Sequence, residues 1–353
     1  MSPARSPRHK KLTESRLLFP VLALALILAF DFFYVPGFFT ITSRDGNLYG
    51  NLIDILRNGS AVMLLAIGMT FVIATGGVDL SVGAVMAIAA SVAAVMIHPD
   101  VIGKSIGSVD TNPNVTNAPL WMVFLVTLAV STVCGLWNGI LIAYGKIQAI
   151  MATLVLMIAG RGIAQLITNG VRIQIFYEPF LYLGTAWVIL PVSLYVVAVV
   201  YAIAWLLTRR TAIGLFVESV GINSTSSYFS GIDEKRIKVL AYAVSGFCAG
   251  AAGLVFSSNI ATSDANNTGL GYELDAILAV AIGGTLTTGG RFSLAASLVG
   301  ALVMQATTTS MLAIGVPAFA LQAIKGVVVV LVLLLYSEQL RALLRKLTSQ
   351  WGA

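Results

Sequence analysis

The chain has 353 residues, of which 58% are apolar or aromatic (Ala, Val, Ile, Leu, Met, Phe, Trp, Tyr, Cys) and only 10% are charged, with a formal net charge of +6. Soluble domains carry about 25% charged residues, so this chain has too few charges to cover a water-facing surface. The composition excludes an ordinary soluble enzyme, a disordered chain and a nucleic-acid binder. Cys134 and Cys248 lie in apolar runs and His9 and His98 are far apart, so we expect no metal site.

We expect an all-α polytopic membrane protein, because about ten segments meet the length of about 20 apolar residues that a helix needs to cross a bilayer. The segments are 17–35, 60–76, 81–97, 119–143, 148–168, 187–207, 238–257, 272–288, 293–313 and 318–336. The third and eighth are short and flanked by glycine. We interpret 1–353 as a single transmembrane domain.

The first apolar segment follows a basic leader, residues 1–16, and could be mistaken for a secretory signal peptide. No small-x-small cleavage pattern follows it. The chain continues instead with the aromatic sequence 31–36, DFFYVP. We therefore interpret the segment as an uncleaved first helix.

The distribution of basic residues predicts the orientation. With ten spans both termini lie on one side of the membrane, and fifteen of the 21 lysines and arginines fall on that side, four on the other and two within spans. Cytoplasmic loops carry the excess of basic residues. We therefore expect the leader 1–16 and the tail 337–353 to be cytoplasmic, in a multi-pass membrane protein.

One long inner loop, residues 208–237, carries apolar side chains in a helical pattern, with an expected glycine break at Gly221 and a second short run at 224–229. Loops of this length are usually functional or disordered, and this one is too apolar for disorder. Its apolar residues either pack under the helix ends of the chain itself or dock to a soluble partner.

Glycines interrupt two of the apolar segments. The predicted helix breaks are Gly76, Gly77, Gly83, Gly283 and Gly284. The sequence around 73–90 resembles that around 260–282, so spans two to three look like spans seven to eight. Because each half would hold five spans, the halves would be inverted, and interrupted helices at matching positions indicate a substrate path. Chance similarity between helices rich in Ala, Val, Ile and Gly is the alternative.

Two basic residues, Arg161 and Lys325, lie inside predicted spans, where a charge needs a partner or a wet cavity. Asp79 and Asp275 are plausible partners. The fourth span contains Asn138, which either forms a helix–helix hydrogen bond or lines a pathway.

The chain lacks the sequence pattern of an ATP-binding loop and those of common hydrolases. Uphill transport would therefore need an ion gradient or another subunit. An ion-coupled secondary transporter would use Asp79 or Asp275 as its ion site, and a passive channel would need no energy source. The apolar inner loop argues against both, because neither needs a docking surface there.

Several strings in fixed order, namely GGVDLSVGAVMAIA, LWNGILIA, KIQAIMATLVLMIAGRG and ELDAILAVAIGG, resemble the permease subunits of bacterial ABC sugar importers of the ribose/xylose/branched-chain type. The resemblance covers roughly 50–336 and is greatest to the galactofuranose importers. It implies translocation of a monosaccharide, with galactofuranose favoured over ribose, galactose or arabinose. Two departures stand out: Ser226-Ser227 replace a usual alanine pair, and Ala149-Ile150 replace a usual Pro-Phe.

The resemblance also implies a set of partners: a second permease chain, the same or similar; a cytoplasmic ATPase with tandem domains that binds ATP and Mg; a periplasmic sugar-binding protein; and membrane lipid. No cofactor is expected in this chain, and no nucleic acid among its partners. The family's coupling region corresponds to the segment from Glu218 to Gly231. The candidates for coupling to the ATPase within it are Glu218, Gly221, Asn223, Ser226 and Gly231. The resemblance implies that the protein lies in the bacterial inner membrane.

Polar residues near the interrupted segments are the candidates for a substrate path. They are Asp79, Asn138, Arg161, Asp264, Asn266, Asn267 and Glu273. The group from Asp264 to Asn267 would alternatively contact the binding protein.

Overall fold

The computed structural model describes residues 17–44, 47–98 and 118–336. The predicted cytoplasmic leader, nearly all of the predicted outer loop 98–118 and the predicted tail lie outside the described residues. Within them the chain forms thirteen α-helices. They are α1 (Leu18–Tyr34), α2 (Asn51–Ala74), α3 (Val82–Ile97), α4 (Leu120–Ala143), α5 (Ala149–Ile167), α6 (Glu178–Thr185), α7 (Val192–Arg210), α8 (Ile213–Ile222), α9 (Ser224–Phe229), α10 (Glu234–Asn259), α11 (Tyr272–Ile282), α12 (Leu294–Ala313) and α13 (Leu321–Tyr336).

The few strands form three antiparallel pairs of two strands each in the described residues. They are β1 (Thr42–Arg44) with β2 (Asn47–Tyr49), β3 (Ile173–Gln174) with β6 (Thr262–Ser263), and β4 (Trp187–Val188) with β5 (Leu190–Pro191). All of them lie in connections between helices. The prediction of an all-α membrane fold is confirmed.

Six of the described helices are long and apolar enough to cross a membrane: α2, α4, α5, α7, α10 and α12. Helices α1 and α3 are apolar but have only 17 and 16 residues. At 1.5 Å per residue each is about 25 Å long, shorter than a hydrocarbon core of about 30 Å. The number of ten spans therefore stays a prediction.

Burial separates an inner layer of helices from an outer one. In α2, 83% of the residues in the most apolar 18-residue stretch are buried, whereas only 22% are buried in the same stretch of α4 and α7 and 28% in that of α5. The outer helices carry exposed apolar side chains such as Trp137, Ile158 and Val199. An apolar face without cover fits a hydrocarbon environment, so α4, α5 and α7 form much of the lipid-facing surface.

Close backbone packing joins α10 to α4. A Cβ atom added at Gly246 would overlap the carbonyl oxygen of Ser131 and lie 2.9 Å from the Cα atom of Gly135. One added at Gly139 would lie 2.9 Å from the Cα atom of Val239. Small residues at these sites let the two helices approach closely, which is a common basis of helix association in membranes.

Three predicted boundaries were wrong by more than a few residues. Helix α2 begins at Asn51, not near 60, because the polar Arg57 in its early turns finds partners in the carbonyl of Gly184 and the side chain of Asn259. Residues 187–191, predicted as helix, form the β4–β5 hairpin instead, and α7 follows Pro191.

The eighth predicted span, 272–288, contains a helix of only 11 residues. Helix α11 ends at Ile282, because Gly283 caps it and Gly284 has a left-handed backbone with φ +74°. The connection 169–186 between the fifth and sixth predicted spans contains β3 and α6.

The α4–α10 contact predicts that bulk at Gly246 destabilises the fold. We expect Gly246→Leu to reduce the free energy of unfolding by roughly 3 kcal/mol, because overpacking at a backbone contact forces the helices apart. The matched control is Gly162→Leu, since no atom lies within 4 Å of a Cβ at Gly162. Thermal unfolding in detergent measures both, and equal midpoints would refute this packing argument.

Candidate functional site

A buried carboxylate lies in the connection between α2 and α3. Asp79 is 1% exposed. Its Oδ1 atom accepts hydrogen bonds from the backbone N–H of Ser81 at 3.0 Å and from the Ser81 hydroxyl at 2.6 Å. Its Oδ2 atom accepts from the hydroxyl of Ser245 at 2.8 Å. Three donors therefore satisfy a group that would otherwise be costly to bury.

Two further side chains extend this network to α4 and α10. The amide nitrogen of Asn138 donates to the Ser81 hydroxyl at 2.9 Å, and the hydroxyl of Tyr242 donates to the carbonyl of Val78 at 3.1 Å. Asn138 is fully buried, and its Oδ1 atom has no hydrogen-bond partner among the described residues. This geometry favours the helix–helix hydrogen bond over a pathway role for Asn138.

The network lies inside the helix bundle rather than at its end. Helix α2 ends at Ala74, and Gly76 has a left-handed backbone with φ +80°, a conformation that favours glycine. After the turn through Gly77, α3 starts at Val82, beside the middle of α10, where Ser245 lies. Helix α3 therefore begins within the bundle, as an interrupted helix does.

A second interruption precedes α11. Gly269 and Gly271 have left-handed backbones with φ of +72° and +83°, and Gly271 is the N-cap of α11. Upstream, Asp264 shapes a turn, because its carboxylate accepts from the backbone N–H groups of Asn266 and Asn267 and from the side-chain amide of Asn267 at 2.8 Å. Burial alone raises the pKa of Asp264, but these hydrogen bonds outweigh it, so the pKa lies below its usual value.

Arg161 of α5 holds this second interruption in place. Its guanidinium donates to the carbonyl oxygens of Ala265, at 3.1 Å, and Thr268. One turn further along α5, the Gln165 amide donates to the Asn266 side chain. Backbone carbonyls thus satisfy the intramembrane cation directly. The side chains of Asn266 and Asn267 are exposed and carry no fixed charge.

The two interruptions meet through glycine. A Cβ atom at Gly269 would lie 3.1 Å from the Cα atom of Gly83, and one at Gly83 would overlap a carboxylate oxygen of Glu273. Gly83 was predicted as a helix break, but it lies in the first turn of α3. Glycine is needed there because the first turn of α11 packs against it, so the N-terminal turns of α3 and α11 face each other.

The second basic residue that was predicted to lie within a span pairs with a carboxylate. The ammonium of Lys325 on α13 lies 2.7 Å from the Oδ2 atom of Asp275 on α11. Asp275 was one of the two partners expected for the buried cations. Asp79, the other, is satisfied by serine hydroxyls instead.

The apolar residues of the inner loop divide into two sets. Val217 and Val220 of α8 are 1% and 3% exposed and pack on the helix bundle, whereas Tyr228 and Phe229 of α9 are 68% and 83% exposed. The expected break near Gly221 and the second short run at 224–229 are both present, because α8 ends at Ile222 and α9 begins at Ser224. The chain turns at Asn223, whose side-chain oxygen caps α9 by accepting from the N–H of Ser226 at 2.9 Å.

The rest of the predicted coupling region stays near the surface. Glu218 is half-buried, Ser226 is exposed, and Gly231 is exposed with φ +81°, where it turns the chain from α9 towards α10.

Gly221 joins α8 to the core through backbone contacts. A Cβ atom there would overlap the carbonyl oxygen of Ala74, the last residue of α2, and the backbone nitrogen of Gly290. The N–H of Gly290 donates to the same carbonyl at 2.9 Å. Gly289, with φ +90°, packs against both Gly76 and Gly221. We call these four glycines, Gly76, Gly221, Gly289 and Gly290, together with Ala74, the glycine junction.

Sequence reasoning missed several of the groups that hold the site. Ser81 and Ser245 were not among the predicted site residues, although the position of Ser81 two residues after Asp79 was a usable signal. Asp31 of α1 is also fully buried and accepts a hydrogen bond from the Ser310 hydroxyl at 2.7 Å. Nothing in the sequence near Asp31 pointed to a serine 279 positions away.

Within the part of the chain that the structure describes, no group of three or more His, Cys, Asp or Glu side chains is arranged to hold a metal ion. Cys134 and Cys248 are free thiols.

Comparison with known proteins decides the family. Residues 51–336 match the model of the branched-chain amino acid transport system / permease component family. The chain belongs to this family. It is accordingly a transport component and a multi-pass membrane protein.

Curated relatives cover nearly the whole chain. It is 44% identical to the galactofuranose transporter permease protein of Escherichia coli K12 over 94% of this chain and 92% of the relative. It is 35% identical to the fructose import permease protein of Bifidobacterium longum, over 95% and 91%, and 31% identical to the ribose import permease protein of Escherichia coli K12, over 90% and 93%. No solved structure matches the chain.

The hydrogen bonds of Asp79 predict that this residue stabilises the fold and does not contact the substrate. Stability measurements can distinguish the two roles. We expect Asp79→Ala to reduce the free energy of unfolding by at least about 2 kcal/mol, because it leaves buried donors of Ser81 and Ser245 unsatisfied. Asp264→Ala, which alters a turn beside exposed amides, is the control. Thermal unfolding in detergent gives the comparison. A folded Asp79→Ala protein with unchanged stability and impaired transport would instead make Asp79 a substrate-path residue.

Proposed function

We propose that this chain is the transmembrane permease subunit of an ABC importer that moves a monosaccharide, with galactofuranose as the first choice and ribose, galactose or arabinose as alternatives. The observation that carries the proposal is the 44% identity to a galactofuranose transporter permease over 94% of the chain. The fructose and ribose permeases among its relatives support the broader class of sugar.

In the proposed topology, ten spans form two inverted five-helix halves, and both termini lie in the cytoplasm of a bacterium, with the protein in the inner membrane. The facing first turns of α3 and α11 support this arrangement, since they are interrupted helices at matching positions of the repeat. The excess of basic residues on one side supports the orientation.

The proposed energy source is a separate cytoplasmic ATPase with tandem nucleotide-binding domains, which binds ATP and Mg. It would dock on the exposed apolar surface of α8 and α9. This surface consists of Leu215, Ile222, Tyr228 and Phe229, which are 65%, 68%, 68% and 83% exposed. Aromatic side chains that project into water fit a protein partner better than a free surface.

Coupling would pass through the glycine junction. A displacement of α8 by the ATPase moves the last turn of α2 and the connection before α12 together, because Gly221 contacts both through backbone atoms. The end of α2 leads directly into the interruption that holds Asp79. Movement at the cytoplasmic surface is thereby transmitted to the start of α3 within the bundle.

Sugar would pass by the exposed amides near the second interruption. Asn266 and Asn267 are the strongest path candidates, with Asp264 and Arg161 positioning them. Asp79, Asn138 and Glu273 then act as scaffold around the half-helices. A periplasmic sugar-binding protein would deliver the sugar to a pair of permease chains, identical or similar.

The ion-coupled alternative has less support. Its candidate ion sites were Asp79, which three donors satisfy, and Asp275, which pairs with Lys325 at 2.7 Å. The relatives that are named after a substrate are a galactofuranose transporter permease and import permeases for fructose and ribose.

Reconstitution tests the transport mechanism. We expect the permease to take up labelled galactofuranose into vesicles only with its ATPase, its binding protein and ATP, because the chain has no sequence pattern for binding nucleotide itself. Ribose and fructose are the comparison sugars. Uptake by the permease alone under an ion gradient would refute the proposal, and preferential uptake of another sugar would overturn only the choice of galactofuranose.

A substitution at the junction tests coupling. We expect Gly221→Leu to retain ATPase binding and hydrolysis but to lower uptake at least about fivefold, the lower end of typical coupling energies, because bulk there separates α8 from α2. The control, Ala212→Leu, adds the same side chain at an exposed position just before α8. Normal uptake by the Gly221→Leu protein would remove the junction from the coupling route.

A further inference from the structure

A cavity of about 380 Å³ opens between the ends of α2, α4 and α10. Three lysines line it, Lys146, Lys235 and Lys238, together with a single acidic residue, Glu234. Glu234 pairs with Lys238 at 3.3 Å. Among the described residues Lys146 and Lys235 have no acidic partner, so the cavity carries a net positive charge. Such a site attracts an anion.

The other wall of the cavity is apolar. Ile142, Ala143, Ile147 and Ala149 line it, and they belong to the connected ends of α4 and α5, two helices with largely exposed apolar faces. Tyr144 lies beside the cavity with the ammonium of Lys235 5.4 Å above its ring. An aromatic ring next to lysines at the end of an apolar helix is typical of the membrane–water interface.

The backbone at Lys146 is unusual. Its φ of +55° is left-handed, a conformation that residues with a Cβ atom adopt rarely and that is often found at functional sites. The short connection from α4 to α5 is thereby bent so that Lys146 lines the cavity.

We propose that this cavity binds the phosphate headgroup of an anionic phospholipid. The cationic wall suits the phosphate, and the apolar wall, continuous with lipid-facing helices, suits the first part of the acyl chains. A free phosphate ion would use the first wall only. The cavity also contains Thr75, Gly76 and Gly77, which precede Asp79, so a bound lipid would contact the start of the first interruption. The lipid proposal does not depend on which sugar is carried. The proposed orientation of the chain is needed only to place the lipid in the cytoplasmic leaflet.

Native mass spectrometry of the full-length chain in detergent tests the proposal with phosphatidylglycerol, phosphatidylcholine and inorganic phosphate as probes. We expect preferential binding of phosphatidylglycerol. Lys146→Gln/Lys238→Gln should weaken that binding about 30-fold, since each lysine near an anionic headgroup contributes about fivefold. The matched control is Arg209→Gln/Arg210→Gln, two basic residues at the end of α7 that do not line the cavity.

If the double variant does not fold, as judged by thermal unfolding without lipid, the exposed Lys146→Gln alone should give about a fivefold loss. An equal loss in the arginine control would overturn the proposal, because it would show a general attraction to basic charge. Equal binding of phosphatidylcholine would also overturn it. Displacement of the lipid by inorganic phosphate at equal concentration would assign the cavity to free phosphate and overturn the lipid site.

Discussion

Three backbone segments are in direct contact at the glycine junction, and this contact fixes α8 to the helix bundle. The carbonyl of Ala74 accepts the N–H of Gly290, and Gly221 packs against both. No side chain lies between these atoms to absorb a movement. The inner helix α8, the end of α2 and the connection before α12 are therefore mechanically one unit, and that unit ends at the interruption where the buried Asp79 lies.

Three charged sites inside the bundle are satisfied within the chain, each in a different way. Hydroxyl and backbone donors hold Asp79, backbone carbonyls hold Arg161, and Asp275 pairs with Lys325. Such groups are expensive in a membrane unless partnered. Satisfied in this way, they fix the two half-helices without presenting a free charge to the substrate. This suits an uncharged sugar, which should bind weakly enough to be released.

Much of the fold could be predicted from the sequence, because long apolar runs bounded by glycine or proline predict helices in a membrane. The predicted segments 119–143 and 148–168 agree with α4 and α5 to within one residue at each end. The prediction of helix boundaries failed where polar residues find distant partners. The first turns of α2 were missed because they contain Arg57, and hydropathy cannot detect its hydrogen bond to Gly184, 127 positions away.

The site was predictable only in part, for the same reason. Glycine clusters with acidic residues indicated both interruptions, and Asp275 was named as a plausible partner for a buried cation. The serine donors to Asp79 and the carbonyl acceptors for Arg161 depend on tertiary packing, which leaves no periodic pattern in the sequence. Gly83 was misread as a break because a glycine needed for close approach looks the same in sequence as one that ends a helix.

The most direct test of the account is a distance across the glycine junction during transport. Spin labels at Thr225 of α9 and Leu286 of the connection before α12 occupy exposed positions on its two sides. In the complete transporter, we expect the same label-to-label distance with and without ATP, while distances between the two proposed permease chains change. A distance within one chain that changes with nucleotide would show that α8 and α9 move independently of the core, and would contradict the account.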